Sequence, residues 1–267
     1  MNPEVLIRLQ QVELEMLDEF VRICTQNNIE YFLDSGTALG AVRHAGFIPW
    51  DDDVDVGMMR EDYEKFIRVA PLQLNNKLFL QNKSTDPTYY KYNTKIRLNG
   101  SIFPEAFNPS SHKGIFIDIY PFDYVGNTRM EARVRVNISR LLLRLLRLRQ
   151  TGETRKGIKK ILYRVTKIVP MRSYEDLYLN FCAKYKDRKT KYVSCFSYKM
   201  LQNNCLFFKT ASISPCKKIP FENREYLIMR DVDDYLTTMY GNYMQLPPES
   251  ERVNHLEGTI VFDLDKN

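Results

Sequence analysis

Apolar residues at Leu6, Leu9, Val12, Met16, Phe20 and Ile23 recur at steps of three and four, so the chain opens on an amphipathic helix ending near Asn27-Asn28. Ile29 to Leu33 is a short apolar run between polar residues and reads as a strand. Ser35-Gly36-Thr37 then leads into Ala38 to Val42, a helix start behind a loop. From Asp53 to Met58 acids alternate with valine at the period of two that marks a second strand. Glu61 to Ala70 is expected as a helix stopped by Pro71, and KYNTKIRLNG (91–100) as a strand. Gly114 to Tyr120 (GIFIDIY) is expected as a strand ended by Pro121. Residues 129–190 read as helical throughout, and Tyr226 to Tyr240 as the last helix. Strands alternating with helices early, followed by a helical run, predict an α+β core over 1–128. A helical insertion over 129–190 and a C-terminal segment, 191–267, packing back on the core complete the expected organisation.

Charge changes this picture at one place. Residues 129–170 hold thirteen Lys/Arg against Glu131 and Glu153, a local +11 in a chain of net +6, so the remainder is −5. The asymmetry points to a polyanion met by one segment. Within it Val134, Ile138, Leu141, Leu142, Leu145 and Leu148 form one aliphatic stripe, and Ile158, Ile161, Leu162, Val165 and Ile168 a second. Helices with a cationic and an aliphatic face suit an anionic membrane surface, or pack their stripes on the core with the charges toward water, whereas single-stranded nucleic acid calls for interleaved aromatics. The richest apolar run, Leu141 to Leu148, is broken by Arg144 and Arg147, too short to cross a bilayer. Glu4, Glu13, Glu15, Asp18 and Glu19 near the N-terminus are unlike a secretory n-region. Five cysteines without C-x-x-C spacing fit a reducing compartment. The expected location is therefore cytoplasmic, with the protein soluble or peripherally attached to a membrane.

The candidate chemistry lies between Gly36 and Asp118. On a strand Asp51, Asp53 and Asp55 would share one face while Val54 and Val56 face the core. Carboxylates so placed repel unless a cation or proton intervenes, and hard oxygen donors suit Mg²⁺ or Mn²⁺. In GIFIDIY, Asp118 shares a face with Phe116 and Tyr120, where an acid is costly unless paired, hydrogen-bonded or on a metal. Gly36-Thr37 at a strand-to-helix turn offers backbone N–H groups to phosphate. Arg43, His44, Lys95 and Arg97 are candidate phosphate or acceptor contacts.

DSGTALGAVRHAGFIPWDDDVDVGMMREDYEKF (34–66), FIDIYPFD (116–123) and YGNYMQLPP (240–248) together resemble the LicD family of the nucleotidyltransferase superfamily, related to fukutin-like transferases. The resemblance implies a nucleotidyltransferase-like mixed sheet with flanking helices. It also implies metal-dependent transfer of phosphocholine or a similar phospho-alcohol from CDP-choline or another CDP-alcohol to a glycan precursor such as teichoic acid or lipopolysaccharide. Carried over by position, Asp53 and Asp55 are paired metal ligands, Asp118 is ligand or general base, and Asp51 is a further ligand. Gly36 and Thr37 hold donor phosphate, with Arg43, His44 and Trp50 beside them. The implied partners are the CDP-linked donor, a lipid-linked glycan acceptor and, through 129–170, an anionic membrane, with no nucleic acid. Two other classes compete: a nucleotidyltransferase acting on a nucleic acid or small molecule, and a non-catalytic membrane-associated assembly partner.

Overall fold

The structure is a computed structural model that describes residues 2–104, 110–151, 153, 156–197, 206–252, 254 and 258–263. It is a mixed α/β protein that divides into two compact units, residues 1–121 with 211–267, and residues 122–210. Arg155 and Cys205, counted above, lie outside the described residues.

The first unit opens on α1 (Pro3–Gln26), where Pro3 fits the first helical position and the Asn2 side chain accepts from Glu4 N–H. Leu9, Leu17, Phe20 and Ile23 are buried, and the Phe20 ring lies 5.0 Å from Phe66 of α3 (Arg60–Gln73). Pro71 does not stop α3 as expected; it lies inside the helix, which runs two residues further. The open sheet has the order β3-β4-β5-β2-β1-β9-β8. Its strands are β1 (Phe32–Leu33), β2 (Asp55–Met59), β3 (Leu78–Gln81), β4 (Thr94–Leu98), β5 (Phe116–Gly126), β8 (Lys217–Phe221) and β9 (Arg224–Ile228). β1 pairs parallel with β9 and antiparallel with β2, so the sheet is mixed. α2 (Ser35–His44) follows β1 directly, with Asp34 as its N-cap.

Two further expectations are corrected. Tyr226 to Ile228 belongs to β9, paired with β8, and the last helix begins only at Val232, ending at Tyr240. β5 continues through Pro121 instead of ending there. Residues 116–119 pair with β4 and 123–126 with β6 (Tyr192–Ser194), so the residue that cannot donate falls between the two ladders.

In the second unit α4 (Arg129–Thr151) is followed by α5 (Ile158–Thr166) and α6 (Met171–Cys182), and β7 (Phe208–Lys209) pairs with β6. α4 buries Ala132, Val136, Ser139, Leu143 and Leu146, not the stripe expected from the sequence. Val134, Ile138 and Leu141 are exposed instead. Six of the eight residues from Leu141 to Leu148 are leucine, so periodicity alone does not fix the phase there; small Ala132 and Ser139 mark the face that packs. Arg135 on that face donates to the Phe181 carbonyl at 2.7 Å and lies over the Phe181 and Tyr185 rings. α5 buries only Tyr163 and Thr166.

Candidate active site

The site grows from the neighbouring strands β2 and β5 and the turn into α2. Asp51, Asp52 and Asp53 precede β2 and are not part of it, so the shared strand face expected for Asp51, Asp53 and Asp55 does not form by strand alternation. The side chains converge all the same. One oxygen from each of Asp53, Asp55 and Asp118 falls within a mutual 4.8 Å, and Asp51, Asp52 and Asp53 make a second such group. Val54 and Val56 are fully buried, as the alternation requires. The Val54 carbonyl accepts from Asp118 N–H at 2.8 Å, which ties β5 to the acidic segment.

Asp55 shows the cost of this convergence. Its Oδ1 is buried and takes no hydrogen bond. Burial, then the charges of Asp53, Asp118, Asp34 and Asp51, hold its carboxyl well above the usual range. An orphaned hard oxygen beside two further carboxylates is what a hexacoordinate divalent ion needs, so the residues fit Mg²⁺ or Mn²⁺.

Asp118 carries its own support. Lys95 Nζ lies 2.8 Å from Oδ2, and the Asn93 amide donates to Oδ1. Gln81, Lys95 and Asp118 are register partners across β3, β4 and β5, so all three lie on one face. Lys95, expected as a phosphate or acceptor contact, is wholly buried against Asp118, its ammonium 3.0 Å from the Phe116 ring centroid. Arg97, expected in the same role, is committed inside the fold: its guanidinium donates to Gln81 Oε1 and to the Gly114 carbonyl, each at 2.7 Å.

Gly36 and Thr37 sit in the first turn of α2. A Cβ on Gly36 would stand 2.9 Å from Asp51 Oδ2, so glycine is what lets that carboxylate close over the helix start. The buried Thr37 hydroxyl accepts from Asp55 N–H at 2.9 Å and fixes the beginning of β2. Asp34, buried as the N-cap, accepts from Ser35 N–H and from the Tyr235 hydroxyl. Gly40 is needed where the chain turns back: a Cβ there would meet the Gly46 carbonyl at 2.5 Å.

Around this turn lie the remaining predicted residues. Arg43 donates to the Tyr243 carbonyl at 2.9 Å, with Asp51 as counter-charge and Arg252 as like charge. The His44 and Trp50 rings meet edge to face at 6.3 Å, and the Arg252 guanidinium lies 5.4 Å from the Trp50 ring centroid. Burial, then Arg43, lowers the His44 pKa, which favours the neutral imidazole. Asp52, Asn93, Tyr240 and Arg252 were not singled out from the sequence. Asp52 and Asn93 are buried, and the Tyr240 hydroxyl is pushed up by burial and then by Asp55. Asn93 stands two residues before Lys95, within the stretch 91–100 expected as a strand.

Comparison with known proteins meets this geometry. Residues 28–140 match the family described as LicD/FKTN/FKRP, nucleotidyltransferase domain. Over these residues the chain is similar to the LicD family. The lipopolysaccharide cholinephosphotransferase LicD of Haemophilus influenzae is 28% identical over 260 residues, covering 92% of this chain and 94% of that protein. The ribitol 5-phosphate transferase FKRP of Homo sapiens is 28% identical over 98 residues, 35% of this chain and 17% of FKRP. An uncharacterised Rickettsia typhi protein, RT0683, is 47% identical over 57 residues, 21% of this chain. The LicD-matched span contains all of Asp51, Asp53, Asp55 and Asp118.

Proposed function

We propose that this chain transfers phosphocholine, or a similar phospho-alcohol, from a CDP-linked donor to a sugar hydroxyl of a cell-surface glycan precursor such as teichoic acid, releasing CMP. The observation that carries the reading is the convergence of Asp53, Asp55 and Asp118 within 4.8 Å, in a chain aligned over 92% of its length with a cholinephosphotransferase. Asp53, Asp55 and Asp118, with Asp51 beside them, would hold Mg²⁺ or Mn²⁺. The bound ion supplies charge neutralisation for the diphosphate and the departing CMP oxygen.

The chain's own residues do the rest. The acceptor oxygen forms a bond to the donor's β-phosphorus as the bond from that phosphorus to the CMP oxygen breaks. The hydroxyl proton passes to an oxygen of Asp118, a carboxylate held in place by Lys95 and Asn93. Gly36 and Thr37 offer the start of α2 to the donor phosphates, and Arg43 adds positive charge there. Trp50 presents an aromatic face for donor or head group.

Donor identity is read by thermal unfolding with Mg²⁺, since a ligand that binds only the native state raises stability by about 2.7 kcal/mol at a hundredfold excess over Kd. CDP-choline or another CDP-alcohol is expected to give the largest shift. An equal or larger shift with ATP, and none with CDP-alcohols, would overturn the donor assignment.

The second unit supports a place at an anionic membrane surface. α5 leaves Ile158 at 73%, Ile161 at 61%, Leu162 at 50% and Val165 at 57% exposed, and Ile168 just beyond it at 81%. Lys159, Lys160, Arg164 and Lys167 are interleaved with them. No helix among the described residues is long and apolar enough to cross a membrane. An aliphatic face rimmed by cations fits the interface of the cytoplasmic leaflet, where each Lys or Arg near the surface contributes about 1 kcal/mol. The full chain is expected to sediment with anionic liposomes at low salt and to be released at high salt. Equal binding to neutral vesicles, or binding that survives replacement of Arg140, Arg144, Arg147, Lys159 and Lys160 by Gln, would remove the membrane from the proposal.

A further inference from the structure

The cations of the second unit are not all spread singly over its surface. Around the ring of Tyr163, a buried residue of α5, three of them converge. Arg149 Cζ, from the last turn of α4, lies 5.9 Å from the ring centroid, Lys160 Nζ 5.8 Å and Lys167 Nζ 5.1 Å. Acids to answer them are scarce: between Glu131 and Glu175 the chain carries only Glu153. Lys160 donates to the main-chain carbonyl of Glu153, not to its carboxylate. Arg149 is half-buried, and its Nε is fully buried and donates no hydrogen bond. Among the described residues no carboxylate stands at ion-pair distance from any of the three cations. A buried donor left without a partner is costly. An aromatic ring attracts cations only weakly and has two faces, so Tyr163 gathers three charges without neutralising them.

We infer that Arg149, Lys160 and Lys167, gathered on the Tyr163 ring, form a phosphate-binding site, and that an anionic lipid headgroup supplies the phosphate. The planar guanidinium of Arg149 offers paired N–H donors to two phosphate oxygens, and the two lysines add compact charge. Three cations suit a phosphomonoester, with about two negative charges near pH 7, better than a singly charged diester. The same short helix exposes Ile161 and Val165, so a phosphate carried beside acyl chains meets both the cations and an apolar face. The lipid source rests on the membrane reading given above; the phosphate site does not.

The test has two arms, both on the full chain without divalent metal. In the first, inorganic phosphate is titrated by calorimetry against the wild type, Arg149→Gln, Arg149→Lys and Lys167→Gln. Lys156→Gln and Arg164→Gln serve as controls, removing one charge from the same segment without touching the ring. Arg149→Gln and Lys167→Gln should each weaken phosphate at least tenfold, while the controls stay within twofold, since charges in water are screened. Arg149→Lys keeps the charge and loses the fork, so it should cost at least threefold; a diffuse basic field predicts no loss. In the second arm, phosphatidylcholine vesicles carry either phosphatidate or phosphatidylserine at matched surface charge. The wild type should prefer phosphatidate at least threefold, and Arg149→Lys should lose that preference while still binding both. Phosphate affinity in Arg149→Lys equal to wild type, or equal losses in Lys167→Gln and the controls, would overturn the site; vesicle binding that persisted would leave the membrane reading standing. Phosphate bound at the site by a chain that ignores both vesicles would keep the site and overturn its lipid source. A chain that binds neither overturns both. Should Arg149→Gln fail to fold, Arg149→Lys and the exposed Lys167→Gln decide alone.

Discussion

Asp55→Asn, and equally Asp53→Asn, is expected to lower CMP release from CDP-choline by at least about a thousandfold, the equivalent of ~4 kcal/mol of transition-state stabilisation. The same variants should keep or gain stability without metal. Asp55 Oδ1 is buried with no partner, and Asp53, Asp118, Asp34 and Asp51 all act to keep its carboxyl from ionising. An amide of the same shape relieves that repulsion at no cost in volume. The two readouts therefore move in opposite directions, which a generally damaged fold does not do. Paired assays of CMP release and thermal unfolding in EDTA decide it. Activity within tenfold of wild type, or a clear loss of melting temperature without metal, would remove these acids from the centre of the reaction.

Much of this site could be read from the chain because its parts are local. The strand, turn and helix that carry Asp34 to Asp55 are contiguous, and the valines between the acids reported which side faces the core. The position of Asp118 followed from alternation alone, with Ile115, Ile117 and Ile119 fully buried opposite it. What alternation could not supply was the conformation of Asp51 to Asp53. That stretch is not a strand, and Asp52, which carries no sequence signal of its own, is the most buried of the three. The roles of Lys95 and Arg97 depend on which strand lies next to β4. Only the β4–β5 register places Lys95 opposite Asp118, and only the fold supplies Gln81 and Gly114 to Arg97. Pro71 and Pro121 misled for a related reason. A proline forbids one backbone donation, and both elements continue past theirs.

Replacing Lys95 by Met is expected to be among the most destabilising single changes near the site, about 3–5 kcal/mol, because it strands a buried carboxylate. The Lys95 side chain is fully buried, that of Asp118 is 6% exposed, and the ammonium also lies over the Phe116 ring. Met fills the volume of the lysine stem, so the loss reports the charge and not a cavity. Asp118→Asn in the Lys95→Met background should then recover most of the stability, since a neutral amide needs no counter-ion and the Asn93 contact can persist. Chemical denaturation of the two single variants and the double one yields the coupling directly. Divalent ions add a second axis. If Asp118 is a metal ligand, Mg²⁺ provides the positive charge that Lys95→Met removes, and the variant should gain more stability from Mg²⁺ than the wild type does. A loss below about 1 kcal/mol, or a double variant no better than Lys95→Met alone, would show that the pair is not coupled as its 2.8 Å geometry requires. Equal Mg²⁺ stabilisation of variant and wild type would separate Asp118 from the ion and leave it the role of proton acceptor alone.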